Sequence, residues 1–151
     1  MTYTIRPYTE DDTDAILSAW ENASKLAHPF LSAAFMAQEK QDIANIYLPN
    51  PDSDTYVLET DSRVIGFISL HGNEVGAIFV QPAYHGTGAG RALMDKARSL
   101  HDMLEVEVFE ANSIGRRFYE KCGFVQIQSY FYEETQQQML RLRLDQTKET
   151  E

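Results

Sequence analysis

Ile78-Phe79-Val80-Gln81-Pro82-Ala83-Tyr84-His85-Gly86-Thr87-Gly88-Ala89-Gly90-Arg91-Ala92-Leu93 is the stretch that decides the fold. An apolar run stops at Pro82, glycines follow at alternate positions 86, 88 and 90, and an apolar pattern of helical period begins at Ala89. Strand, loop and helix therefore follow one another. A glycine-rich turn that feeds a helix leaves several backbone N–H groups without partners, aligned with the positive end of the helix dipole. Such a turn suits phosphate. No Gly-Lys-Ser/Thr closes the loop, so it is not a P-loop, and a Rossmann fingerprint would need its last glycine at Arg91.

Upstream, Tyr3, Ile5 and Pro7 alternate with polar residues as a first strand. Thr9, with Asp12 three residues on, caps a helix whose apolar face is Ala15, Ile16, Ala19, Trp20 and Ala23, and His28-Pro29 ends it. Ser32 caps a second helix running to about Leu48, with Phe35, Met36, Ile43 and Ile46 or Tyr47 on its apolar face. Thr55–Glu59, Arg63–Leu70 and Glu74–Val80 read as an antiparallel meander turning at Asp61-Ser62 and Gly72-Asn73. Beyond the loop, a helix with Ala89, Ala92, Leu93, Ala97, Leu100 and Leu104 on one face leads into a strand over Leu104–Phe109. The helical crossover predicts parallel pairing with the strand before the loop.

A short helix from Asn112 or Ser113, with Ile114 and Phe118 inward, ends at Gly123. Strands over Val125–Tyr132 and Met139–Leu144 follow. The pattern is one α+β domain over residues 1–145 with a disordered polar tail at 146–151.

The net charge of −10 disfavours nucleic acid or an anionic membrane as partner. Between His85 and Lys121 the six Lys/Arg and six Asp/Glu balance, so the acidic surplus lies elsewhere. It would attract a cationic second substrate, or serve only as a solvated acidic surface. No apolar run is long enough to span a bilayer and no signal-peptide layout opens the chain, which points to the cytoplasm. Cys122 is the one cysteine, too few for a disulfide or a metal cluster. It reads as packing at a helix end.

His85-Gly86-Thr87-Gly88-Ala89-Gly90 resembles the acetyl-CoA loop of the GNAT N-acetyltransferases, Gln/Arg-x-x-Gly-x-Gly/Ala, with His85 in place of Gln/Arg. A second, separate match is Asn112-Ser113-Ile114-Gly115-Arg116-Arg117-Phe118-Tyr119-Glu120-Lys121-Cys122-Gly123-Phe124. It is similar to the family's Asn-x-x-Ala-x-x-Phe/Leu-Tyr-x-Lys-x-Gly-Phe, with Gly115 in place of alanine. Leu26-Ala27-His28-Pro29-Phe30-Leu31-Ser32 further resembles a small bacterial YjaB-like branch.

The resemblance implies a single GNAT-type domain, with a mostly antiparallel sheet of about six or seven strands, flanked by about four helices and splayed between its fourth and fifth strands. It implies acetyl-CoA as donor cosubstrate and direct transfer to an amine, with no metal. Backbone N–H groups from Gly86 through Thr87, Gly88, Ala89 and Gly90 to Arg91 would bind pyrophosphate. Main chain at Ile78, Phe79 and Val80 would bind pantetheine, with Asn112 also holding the cofactor and a donor near Val80 facing the oxyanion.

An amine of pKa about 10.4 must lose a proton before it attacks, so a base is needed, directly or through water. Glu74 stands at the offset used by the histone-acetylating members, and alternation puts it on the side of Ile78 and Val80. It reads equally as the start of a strand, and His71 is a reserve candidate. Tyr119 holds the family's general-acid position, where it would protonate the departing thiolate. Trp20, His28, Phe30 and Tyr132 are candidates for the acceptor pocket, although Trp20 also reads as core and His28 as a loop residue. Two rivals remain: an acyl-CoA-binding or regulatory module without catalysis, and a nucleotide-dependent enzyme. Neither the acceptor nor the choice between monomer and homodimer follows from the residues.

Overall fold

The computed structural model describes residues 2–147. One seven-stranded sheet, in the order β1-β2-β3-β4-β5-β7-β6, comprises β1 (Thr4–Pro7), β2 (Ser53–Thr60), β3 (Arg63–His71), β4 (Glu74–Val80), β5 (Met103–Phe109), β6 (Val125–Tyr132) and β7 (Gln137–Asp145). Neighbours are antiparallel except β4 and β5, which the helical crossover makes parallel. The helices are α1 (Thr13–Ala27), α2 (Ala33–Asp42), α3 (Ala89–Leu100) and α4 (Ser113–Cys122).

The caps form where the sequence places them. The Thr9 N–H donates to the Asp12 carboxylate at 2.9 Å, at the start of a 3-10 turn that leads into α1. The Ser32 hydroxyl accepts from the Phe35 N–H at 3.1 Å. Asp61 and Ser62 take the positive φ values, 51° and 62°, of a tight hairpin turn.

Two apolar clusters lie on opposite faces of the sheet. Leu93, Met94 and Ala97 of α3, with Tyr119 and Cys122 of α4, pack on Val75, Val80, Leu104, Val106 and Val108. Ile16, Ala19 and Trp20 of α1, with Ile43 and Leu48, pack on Val57 and Phe67.

Three expectations differ from the structure. The second helix ends at Asp42 and continues as a π turn over Ile43–Tyr47. This turn shifts the phase by one residue, so Leu48 is buried while Ile46 and Tyr47 are exposed. In α4 it is Tyr119 and Cys122 that point inward, whereas Ile114 is exposed, because the first turn of this helix overhangs the opening between β4 and β5. Gln146, read as the first tail residue, is anchored: its side-chain amide donates to the carbonyls of Arg98 at 3.1 Å and His101 at 2.8 Å. Tail residues 148–151 lie outside the described residues.

Candidate active site

The β4–β5 pairing is short. Only Glu74 with Glu105 and Val75 with Val106 are in register, and past them the strands part. This splay opens a cleft of about 770 Å³ that passes through the sheet, from the glycine loop and α3 and α4 on one face to α1 and α2 on the other.

The cradle lies at one end. Gly86 and Gly88 have φ of 77° and 91°, left-handed values that disfavour a side chain, and the space where a Cβ would stand is open. Gly88 caps α3, and the first intrahelical bond runs from the Ala92 N–H to the Gly88 carbonyl at 2.9 Å. The N–H groups of Ala89, Gly90 and Arg91 therefore have no carbonyl within the helix. At Gly90 a Cβ would stand 3.0 Å from the Phe118 ring, so this glycine lets α3 and α4 close on each other.

Tyr3 reaches across to donate to Thr87, which itself donates to the Tyr84 carbonyl at 2.6 Å and so stiffens the loop. Arg91 lines the cleft, as do Arg117 and Lys121 at i and i+4 on α4. The last two escaped the sequence reading, although their helical spacing places them on one face. Pyrophosphate fits this end, with open donors, glycines that admit close approach and three cations around them.

His85 has a defined partner. Its Nε2 donates to the Val80 carbonyl at 2.8 Å, tying the loop to the end of β4. The Gln81 N–H donates to the Ile65 carbonyl at 2.8 Å, on the β3 side, so alternation turns the main chain of Val80, and of Ile78 two residues before it, toward the splay. The Val80 N–H is then a donor facing the cleft, beside the span where an extended pantetheine arm could pair. Phe79 turns its main chain toward β3 and its ring toward the α1 face, stacked on Phe67 at 5.9 Å.

Glu74 lies on the opposite side from the one alternation implied. β4 carries an extra residue at Gly76, because Ser69 pairs with Ala77 while Leu70 pairs with Val75. The bulge inverts the parity, so Val75 shares a face with Ile78 and Val80, and Glu74 joins Ala77 and Phe79 on the α1 face. There it accepts from Arg141 at 3.0 Å, and the same guanidinium reaches Glu105 at 2.6 Å and Glu107 at 3.5 Å. His71 is an exposed residue at the end of β3 and is not among the cleft-lining residues.

Tyr119 is 8% exposed, with its ring edge-on to Phe118 and Phe124 at 5.5 and 5.6 Å. Tyr119 lines the cleft, its hydroxyl has no hydrogen-bond partner among the described residues, and burial pushes the phenol well above its ordinary pKa. Cys122 is buried and its thiol pushed up chiefly by desolvation, as suits packing.

Asn112 caps α4: its Oδ1 accepts from the Gly115 N–H at 2.8 Å, and its Nδ2 lies 3.2 Å from His28 Nε2. The His28 ring sits between the ends of the splayed strands, 6.4 Å from Phe79 and 5.1 Å from Phe109, and burial lowers its pKa to about 4. Phe30 packs behind it, 5.8 Å from His28 and 5.4 Å from Phe109, and is not among the cleft-lining residues.

Trp20, Ser24 and His28 stand one turn apart along α1, all at the cleft wall. Trp20 is also core. Ser24 Oγ is fully buried without a hydrogen-bond partner among the described residues. The sequence reading missed it, although a serine four residues from both Trp20 and His28 was the available signal.

At the far end the cleft is acidic. Burial, with Asp42 and Glu134 nearby, raises the Glu39 pKa, and Tyr132 donates to Glu134, which pushes its phenol up to about 12. The cleft is thus cationic at the loop and anionic at the opposite mouth.

Residues 51–126 match the family model described as an acetyltransferase (GNAT) domain. The chain is 31% identical to the peptidyl-lysine N-acetyltransferase YiaC of Escherichia coli, over 87% of this chain and 90% of that one. To the peptidyl-lysine N-acetyltransferase YjaB of the same organism it is 32% identical, over 82% and 83%. The solution structure of apo YjaB superposes with a TM-score of 0.84 at 26% identity, covering 95% of this chain and 97% of that one. The PaiA N-acetyltransferase of Thermoplasma acidophilum, solved with coenzyme A, shares the fold at a TM-score of 0.73 and 21% identity, covering 93% and 98%.

Proposed function

This chain belongs to the GNAT acetyltransferase family, an acyltransferase with acetyl-CoA as donor, and from that premise we propose that it acetylates the side-chain amine of a lysine in a peptide or protein by direct attack in a ternary complex. The observation that carries this reading is the cleft that crosses the sheet. Donor and acceptor enter from opposite faces and meet at the splay. Holding the two in attack geometry supplies on the order of 7–11 kcal/mol of the barrier. The relatives named as peptidyl-lysine enzymes and the acidic mouth at Glu39 support a cationic acceptor. A cytoplasmic setting suits such a substrate.

The residues divide the work as follows. The N–H groups of the loop hold the pyrophosphate, and the main chain of Ile78 and Val80 pairs with the pantetheine arm. The Val80 N–H faces the thioester oxygen as negative charge grows on it. An amine of pKa about 10.4 costs about 4.6 kcal/mol to deprotonate at pH 7, so its proton leaves through water to Glu74, on the acceptor face beside the Arg141 guanidinium. As the N–C bond forms and the C–S bond breaks, the Tyr119 hydroxyl gives its proton to the thiolate and regains one from the second amine proton, carried by water in the cleft.

The test is mass-spectrometric detection of transfer from acetyl-CoA to a panel of lysine peptides, peptide N-termini, spermidine and aminoglycosides. Transfer to lysine peptides is the expected result. Transfer to another amine alone refutes the acceptor, and acetyl-CoA binding without transfer to any amine leaves a binding module.

A further inference from the structure

His28 closes α1 and meets the cap of α4 across the open end of the splay. The contact has a determinate polarity. The Gly115 N–H donates to Asn112 Oδ1 at 2.8 Å, which fixes the orientation of the amide and leaves Nδ2, a group that only donates, facing His28 Nε2 at 3.2 Å. His28 Nε2 must therefore accept. The ring is neutral, its proton is on Nδ1, and the Nε2 lone pair is already engaged, so this nitrogen is no general base. Burial, which lowers the pKa to about 4, acts in the same direction.

Gly115 suits the same arrangement. A Cβ there would stand 2.5 Å from Asn112 Nδ2 and 3.0 Å from its Cγ. Alanine is the usual residue at this point of the motif, and the turned amide occupies the room it would need. His28, Asn112 and Gly115 thus form one packed unit. Phe79 and Phe109, from the parted strands, face the same imidazole edge-on, so the ring fills the mouth of the splay.

We propose that His28 is a positioning residue: as the neutral Nδ1–H tautomer it wedges the open end of the splay and locks the Asn112 cap, so that α4 holds the Tyr119 hydroxyl at a fixed place in the cleft. The kinetic consequence rests on the acetyl-transfer reading above, whereas the tautomer does not. A misplacement of about 1 Å in a reacting group is enough to cost on the order of 100-fold in rate.

The experiment has two arms. In the unliganded protein, ¹⁵N-resolved NMR of the imidazole at pH 7 should show His28 with a protonated Nδ1 and an unprotonated Nε2. Gly115→Ala should displace the amide and move both signals. In turnover, His28→Leu should lower kcat by about 10- to 100-fold with less than about a threefold change in the acetyl-CoA KM. His28→Gln, whose Oε1 can accept from Asn112, should recover to within about threefold of the parent rate. A protonated Nε2, a charged ring at pH 7, no response to Gly115→Ala, or equal turnover for the Leu and Gln variants would overturn the proposal. If no amine is acetylated at all, the transfer reading falls while the NMR arm still decides the tautomer.

Discussion

Tyr119→Phe isolates one atom. The ring keeps its edge contacts with Phe118 and Phe124, and the hydroxyl has no hydrogen-bond partner among the described residues, so its removal strands no buried group. Stability should change by less than the ~0.5–1.5 kcal/mol that a net hydrogen bond contributes. The rate should change far more. A well-placed general acid is worth about 10²–10⁴-fold, equivalent to roughly 2.7–5.4 kcal/mol of barrier, and water reaching the sulfur through the open cleft favours the low end.

Single-turnover acetylation of a lysine peptide, with acetyl-CoA saturating, should therefore slow about 100-fold while acetyl-CoA affinity is unchanged. Burial raises the phenol above its ordinary value near 10, so the parent enzyme should show no alkaline loss from this group below about pH 10. A rate within about tenfold of the parent, with binding intact, would remove Tyr119 from the mechanism.

Gly88→Ala meets no neighbour but forces a side chain to φ 91°, costing about 1–2 kcal/mol in a chemical melt; acetyl-CoA KM should rise as the cradle relaxes. Glu74→Gln should lower kcat by about 10²-fold or more with little effect on the melt, and an unchanged pH–rate profile would pass the base role to water alone. Asp12→Asn keeps one oxygen to accept from the Thr9 N–H but removes the charge and one of the paired contacts to Arg6 at 2.8 and 2.9 Å, a loss of about 2 kcal/mol at pH 7. Arg6 holds the Asp12 pKa below its usual 3.8, so this stability is present above that pH and disappears as pH falls through the depressed folded-state value. Urea melts of the two proteins should therefore converge in acid.

Much of the site is legible along the chain because its parts are local. The glycine loop, the cap at Asn112 and the stop at Gly123 rest on backbone rules that act within a few residues, and each forms where its residues stand. Parity along β4 was not legible. The bulge at Gly76 exists through the register with β3, and it alone decides that Glu74 faces α1 and not the side of Ile78. His28 gives a second case. Next to Pro29 it reads as a loop residue, and only the approach of Phe79, Phe109 and Asn112 from three distant elements makes it a wedge.

The order of strands and helices, the glycine-rich turn and the two motifs around Gly88 and Tyr119 were thus determined by the sequence itself, since hydrophobic period and turn chemistry are short-range. Tertiary structure decided which face each side chain reaches and the polarity of the cleft. Arg91, Arg117 and Lys121 gather at one mouth and Glu39 lies at the other, because strand register and helix packing join residues that sequence separation keeps apart.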